Sequence, residues 1–351
     1  MDNNDRKERE HIMKKCKSKL VFILYLVVTM LTSVASVGTS SEVYAAKKTP
    51  FKTHGTLKVK GTNLVDKNGK VVQLRGVSTH GLSWFPEYVN KAGFKTLRDD
   101  WNVNCIRLAM YTEEYAGYCS GGNQAELKAL VKKGVKAATE LGMYVIVDWH
   151  ILNDGNPLTH VNEAKAFFQE MSKEFKKQDN VIYEICNEPN GSVTWSDVKK
   201  YANKIIPVIR KNDKNAIVLV GSPTWSQDTH EAVKSPLKYQ NVMYTLHFYA
   251  STHKDFLRDR LKKCRKQGLP IFISEFGICD ASGNGAIDYK EANEWKKLID
   301  KYKISHVCWN LSNKAETSSL ISSTCSKISN WKYSELSNQG KWIRKWMKSK
   351  K

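Results

Sequence analysis

Residues 181 to 191 read VIYEICNEPNG: a run of apolar β-formers that breaks off into a carboxylate, an amide, a second carboxylate, a proline and a glycine. A buried strand that runs out at Asn187 and Glu188 delivers those side chains to something. The same kind of run recurs along the chain: VVQLRGV from 71, NCIRLAM from 104, YVIVDWH from 144, AIVLVG from 216, VMYTLHFY from 242, PIFISEF from 270 and HVCWNLS from 306. With residues 181–187 that makes eight. Between most of them lie longer stretches of 3.6-residue periodicity, such as AELKALVKKGVKAATELG, EAKAFFQEMSKEFKKQ, SDVKKYANKIIPVIRKN and KDFLRDRLKKCRKQG. Largely apolar strands suit a parallel sheet covered on both faces, and strand–helix alternation predicts βαβ units. Eight such units in about 300 residues fit a closed (β/α)8 TIM barrel, an α/β fold, better than an open doubly wound sheet. No GxGxxG follows the first strand, which weighs against a dinucleotide-binding fold. Ahead of the barrel, TLKVKGTNLVDKNGKVVQLRGVS predicts an N-terminal β-hairpin turning at Asn68-Gly69.

The 351 residues are 41% apolar and include ten Trp, enough for a substantial core. Residues 1–46 differ in kind: Arg6, Lys7, Arg9, Lys14, Lys15, Lys17 and Lys19 precede an apolar run from Leu20 to Leu31, and SEVYAA follows. This predicts a secretory signal peptide cleaved near Ala45 or Ala46 and a secreted, extracellular product. About 12 apolar residues fall short of the roughly 20 that span a bilayer, so no stable membrane association is expected after cleavage. Residues 47–351 show no linker and are read as a single domain, a monomer. The net charge of +21 is dispersed over lysines on helix faces without a tail or arm, which argues against nucleic acid as a partner. Of the eight cysteines, Cys16 falls in the leader; seven remain, so at least one lacks an intramolecular partner. No CxxC pair or Cys/His cluster has metal spacing, so neither a metal nor another cofactor is expected.

In a barrel the chemistry sits where strands end and βα loops begin. Those positions hold His80 and Trp84, Arg107, Asp148 and His150, Asn187 and Glu188, Trp225, His247 and Tyr249, Glu275, and Trp309 followed by Lys314 and Glu316. Their common address at one end of the sheet is the informative feature. Glu188 and Glu275 fall on the fourth and seventh barrel strands, roughly 13 Å apart at Cα for a radius of about 7 Å. With each side chain reaching inward, the carboxyl groups come within roughly 5 Å, the separation of a retaining glycosidase pair. One carboxylate must then be ionised to attack, and the other must hold a proton. Arg107 and Tyr249 are candidates to keep Glu275 ionised. Asn187 can offer its amide to a sugar hydroxyl, and Trp84, Trp225 and Trp309 suit the apolar faces of pyranose rings.

LRGVSTHGLSW, NCIRLAMY, VIVDWHI, VIYEICNEPNG, TLHFYA, FISEFG and CWNLSNK together resemble the endoglucanases (cellulases) of glycoside hydrolase family 5, from about residue 55 to the C-terminus. The resemblance implies retaining hydrolysis of internal β-1,4 bonds in a β-glucan polysaccharide, with Glu188 as proton donor and base and Glu275 as nucleophile. It implies Arg107, Asn187, His247 and Tyr249 as support for the transition state and the nucleophile. His80, Trp84, His150, Trp225, Trp309, Lys314 and Glu316 would bind substrate. Cys186 stands where a small residue such as Ala is expected. The alternatives are a hydrolase of mannan, xylan or mixed-linkage glucan on the same barrel, or a silent carbohydrate-binding barrel.

Overall fold

The computed structural model describes residues 7–19, 21 and 48–350. Residues 7–19 are helical and belong to a unit of their own, Met1–Lys47. Most of the expected signal peptide, its apolar run and cleavage site included, lies outside the described residues. Among the described residues no helix is long and apolar enough to cross a membrane.

The second compact unit, Lys48–Lys351, is built on a closed barrel. Two short antiparallel strands come first, β1 (Lys58–Lys60) and β2 (Asn63–Val65). The barrel strands are β3 (Arg75–Thr79), β4 (Cys105–Tyr111), β5 (Tyr144–His150), β6 (Val181–Glu184), β7 (Ile217–Val220), β8 (Val242–Tyr249), β9 (Ile271–Gly277) and β10 (His306–Leu311). All pair in parallel with their neighbours in sequence, and β10 returns to β3 to close the ring. The helix after each barrel strand is, in order, α1 (Lys91–Asp99), α2 (Gln124–Glu140), α3 (Val161–Glu174), α4 (Trp195–Asn212), α5 (Thr229–Lys234), α6 (Asp255–Lys266), α7 (Tyr289–Tyr302) and α8 (Asn338–Lys348). Several helices start where a side chain satisfies free backbone N–H groups. Asn123 caps α2, Asp288 caps α7, and Thr194 with Asp197 forms a capping box on α4.

The hairpin is one strand upstream of the place predicted for it. β1 and β2 turn at Gly61-Thr62, where Gly61 adopts φ 58. The Asn68-Gly69 turn does form, with Asp66 accepting the N–H groups of Asn68 and Lys70, but it closes only the isolated bridge Val65–Val71. The first barrel strand accordingly starts at Arg75, four residues later than the apolar run at Val71 suggests. Residues before it cap the barrel floor instead, Leu57, Leu64, Val72 and Leu74 packing against Ile146, Leu219, Met243 and Phe272.

Alternation along each strand sorts the side chains. On β4, Ile106, Leu108 and Met110 face the helices; on β5, Val145, Val147 and Trp149 do the same. The opposite parity faces the barrel axis and changes character with height. At the floor it is apolar, with Cys105, Tyr144, Ile182 and Phe272. One step up it is Arg107, Asp148, Glu184, Thr245 and Ser274, all buried. At the mouth Ala109, Tyr111, Tyr249, Cys279 and Trp309 form a separate cluster.

Candidate active site

The mouth opens as a cleft of about 570 Å³, lined among others by His80, Trp84, His150, Glu188, Trp225, His247, Tyr249, Glu275, Trp309, Lys314 and Glu316. Two of the residues predicted for the site do not line it. Arg107 is fully buried one layer below, and Asn187 is buried beside it.

Glu275, near the end of β9, receives two donors. Tyr249 Oη lies 2.8 Å from Oε1, and Arg107 Nη1 lies 3.1 Å from Oε2. Burial and the neighbouring carboxylates push the Tyr249 hydroxyl well above its usual range, so it stays protonated and donates. Glu188 follows β6 by four residues, and its Oε1 lies 2.8 Å from Nδ1 of His247 on β8. Ligand atoms of Glu188, His247 and Glu275 lie within 4.8 Å of one another. Theirs is the one trio of metal-ligating side chains so grouped among the described residues. We assign it no ion, because both His247 nitrogens are committed to hydrogen bonds, Nδ1 with Glu188 and Nε2 with Ser274 Oγ at 2.8 Å.

Below the mouth Arg107 sits among three carboxylates: Asp148 at 3.0 Å, Glu184 at 2.7 Å and Glu275 at 3.1 Å. Burial opposes its charge, but these three together raise its pKa, so the guanidinium is a fixed cation. Burial would also raise Glu184, yet Arg107 and His247 outweigh it and hold that carboxyl at about 2. Asp148 goes the other way, pushed well above the carboxylate range by burial against the pull of Arg107. His247 holds its proton to about 9, because Glu184 and Glu188 overcome its burial. His150 is held neutral, at about 3, by burial and by Arg107. Two cations therefore stand against the carboxylates of this layer, which is how so much charge is tolerated away from water.

The Asn187 side chain is bonded at both ends within the protein. Its Oδ1 accepts from Arg107 Nη2 at 2.6 Å, and its Nδ2 is spent on Ile151 O at 3.1 Å and His150 Nε2 at 3.2 Å. It ties the loop that bears Glu188 to β5. Cys186 is fully buried, and burial raises its thiol. None of the eight cysteines is in a disulfide.

At one side of the cleft Lys314 Nζ bridges Glu316 at 2.6 Å and His80 Nε2 at 3.4 Å, over the Trp84 ring at 5.2 Å. Trp309 stacks beside His150 at 5.1 Å. Trp225 stands on the rim, 46% exposed and held at φ 52 with its N–H on Pro189 O. Sequence reading passed over Tyr111, whose ring lies parallel to Trp84 at 5.8 Å, and His253, whose Nδ1 accepts from the Tyr249 backbone N–H. It also passed over Glu184 and Ser274. Strand parity was the available signal, since Glu184 shares the inward face with Ile182, and Ser274 with Phe272.

The model of the family described as Cellulase (glycosyl hydrolase family 5) matches residues 65–315. Endoglucanase A of Butyrivibrio fibrisolvens is 50% identical over 296 residues, 84% of this chain and 68% of that protein. An endoglucanase of Clostridium saccharobutylicum is 46% identical over 336 residues, 95% of this chain and 72% of that one. Among solved structures, Cellulase Cel5C_n superposes with a TM-score of 0.83 at 43% identity, covering 86% of this chain and 94% of that one. A variant of the catalytic domain of Thermobifida fusca endoglucanase Cel5A (E5), in complex with cellotetraose, superposes with a TM-score of 0.82 at 36% identity, covering 86% of this chain and all of that one.

Proposed function

Because the chain belongs to glycosyl hydrolase family 5, the cellulase family, we propose that it hydrolyses internal β-1,4 bonds of β-glucan with retention at the anomeric carbon. The observation that carries the mechanism is the unequal pairing of two carboxylates within 4.8 Å: Glu275 takes donors from Arg107 and Tyr249, and Glu188 is held by His247. Inverting pairs leave roughly 6.5–9.5 Å for a water between them. Glu275 attacks the anomeric carbon while Glu188 gives its proton to the departing glycosidic oxygen. Glu188, now a carboxylate, takes a proton from water, which attacks the same carbon and frees Glu275. The fixed charge of Arg107 and the Tyr249 hydroxyl are aimed at Glu275 before substrate arrives, so neither has to reorganise during attack. Trp84 and Trp309 offer flat faces to pyranose rings, and the Lys314–Glu316 pair offers donors and acceptors to hydroxyls. The mature chain acts as a monomer outside the cell after its leader is removed.

Replacing each glutamate separately tests the assignment. Glu275→Ala abolishes turnover of every substrate, since no glycosyl-enzyme forms. Glu188→Ala still reacts with an aryl glycoside whose phenol leaves without protonation, and added azide restores its turnover as the β-configured glycosyl azide. An α-configured azide from Glu188→Ala would reverse the roles, and inversion by the wild type would end the retaining reading. Export is checked by mass spectrometry of protein from the culture medium, which should begin near Ala46 or Lys47.

A further inference from the structure

The mechanism leaves Glu184 and Ser274 without a task, although both are fully buried in the polar layer beneath the cleft. Ser274 Oγ lies 2.6 Å from Oε1 of Glu184 and 2.8 Å from Nε2 of His247. A hydroxyl has one proton to give, and an ionised carboxylate can only accept. Ser274 therefore donates to Glu184 and accepts from His247, which places a proton on Nε2 and leaves Nδ1 as the nitrogen facing Glu188. The other Glu184 oxygen accepts from Arg107 Nε at 2.7 Å, and Arg107 Nη1 goes on to Glu275. One carboxylate is thus connected to both glutamates of the reaction, through Ser274 and His247 on one side and through Arg107 on the other.

We propose that Glu184 and Ser274 are positioning residues of the hydrolysis: Ser274 sets His247 with Nδ1 aimed at Glu188, and Glu184 is the shared anion that aligns both arms. This rests on the reading of Glu188 as acid/base and Glu275 as nucleophile. The consequence is a dependence on the charge of His247. An imidazolium donates Nδ1–H to Glu188 and stabilises the carboxylate left when the glycosidic oxygen takes the proton. A neutral ring turns a lone pair to Glu188 and draws the acid proton away from the substrate. The groups that face this ring are Glu184 and Glu188 from β6 and its loop, Glu275 from β9, Asp148 and His150 from β5, and His253 beyond β8, with Arg107 behind Glu184. The carboxylates dominate, so the imidazolium persists to about 9.

Ser274→Ala cuts the His247 arm alone, and it is assayed on soluble β-glucan and on dinitrophenyl cellobioside. On glucan the alkaline limb of kcat/KM moves down by about one pH unit, the scale of one lost hydrogen bond to a charged group. With the dinitrophenyl substrate, formation of the glycosyl-enzyme needs no proton and keeps the wild-type rate. Glu184→Gln slows both substrates, because it releases Arg107 as well. An alkaline limb that stays in place, or an equal loss on both substrates at every pH, overturns the proposal. Glu188→Ala run alongside separates the two levels of inference. If it keeps only the dinitrophenyl reaction while Ser274→Ala shifts nothing, the positioning role alone falls; if it shows no such split, the acid/base reading falls with it. Histidine-labelled wild-type protein, with His247→Asn for assignment, gives a test free of any folding defect at residue 274. Nε2 of His247 should stay protonated while Nδ1 titrates, and the reverse order refutes the proposal.

Discussion

Arg107 combines three jobs in one side chain: it neutralises Glu184 while bonding Asp148, anchors Asn187, and holds Glu275 in place for attack. Its removal is therefore a folding experiment as much as a catalytic one. Arg107→Ala leaves buried carboxylates facing one another without their cation, and breaking a buried pair from one side costs about 3–5 kcal/mol. Urea unfolding should register that loss even where no activity is left to measure. Arg107→Lys keeps the charge but not the planar fork that reaches four acceptors, so it should recover much of the stability and little of kcat. Equal recovery of both would mean that charge alone is what Glu275 requires.

At the scale of elements, the site depends on how closely the end of β7 meets the loop after β6. A Cβ built on Gly221 comes within 2.5 Å of Cys186 O and 2.9 Å of Asn187 O, both backbone atoms that cannot swing aside. The Gly221 N–H also bonds Cys186 O at 3.2 Å. Only a residue without a side chain allows the two segments to touch, and their contact fixes Asn187 beside Arg107 and Glu188 above it. Gly221→Ala should push that loop outward, and a displacement near 1 Å costs on the order of 100-fold in kcat. Steady-state kinetics beside a thermal melt checks this, because a variant that loses stability but not kcat would show that the contact is structural only.

Across the whole molecule, buried histidines set the acid limit of stability. Burial lowers His80 and His150 to about 3 and His253 and His306 to about 4, from 6.5 for a free side chain. The unfolded chain takes up these protons below pH 6.5, whereas the folded chain refuses them until pH 4 or 3, so stability falls as pH drops through that window. Glu184, held at about 2 against 4.5 when free, adds a loss in the same direction below pH 4.5. His247, raised to about 9, has the opposite sign: its contribution is complete below pH 6.5 and disappears as pH rises toward 9. Asp148, Glu114, Asp154 and Asp213 are raised by burial and oppose the histidines over the same window. Melting temperatures from pH 4 to 6.5 are therefore compared between the wild type and His306→Gln: the variant should lose less stability toward acid, and an equal loss would contradict the role of that ring.

Local patterns were enough to read eight parallel strands, the helices between them and the end of the barrel at which polar residues gather, because strand and helix periods and the breaks after them are properties of neighbouring residues. Glu188, Glu275 and the tryptophans of the lining were legible for the same reason: each lies near or beyond the end of an apolar run. Glu184 and Ser274 were not, since a lone polar residue inside such a run reads alike whether it faces helices, solvent or the barrel axis. Which face it takes depends on strand parity, and what it meets depends on register with strands 77 and 90 residues away. The turn at Asn68-Gly69 was visible locally, but whether it closed a hairpin was decided by which segments cover the barrel floor. Asn187 shows the same division, its position given by the motif and its partners by closure of the ring. Only closure brings Arg107, Asp148, Glu184 and Glu275 together beneath the mouth, where the buried charges of Arg107 and Glu184 are tolerable because each has the other.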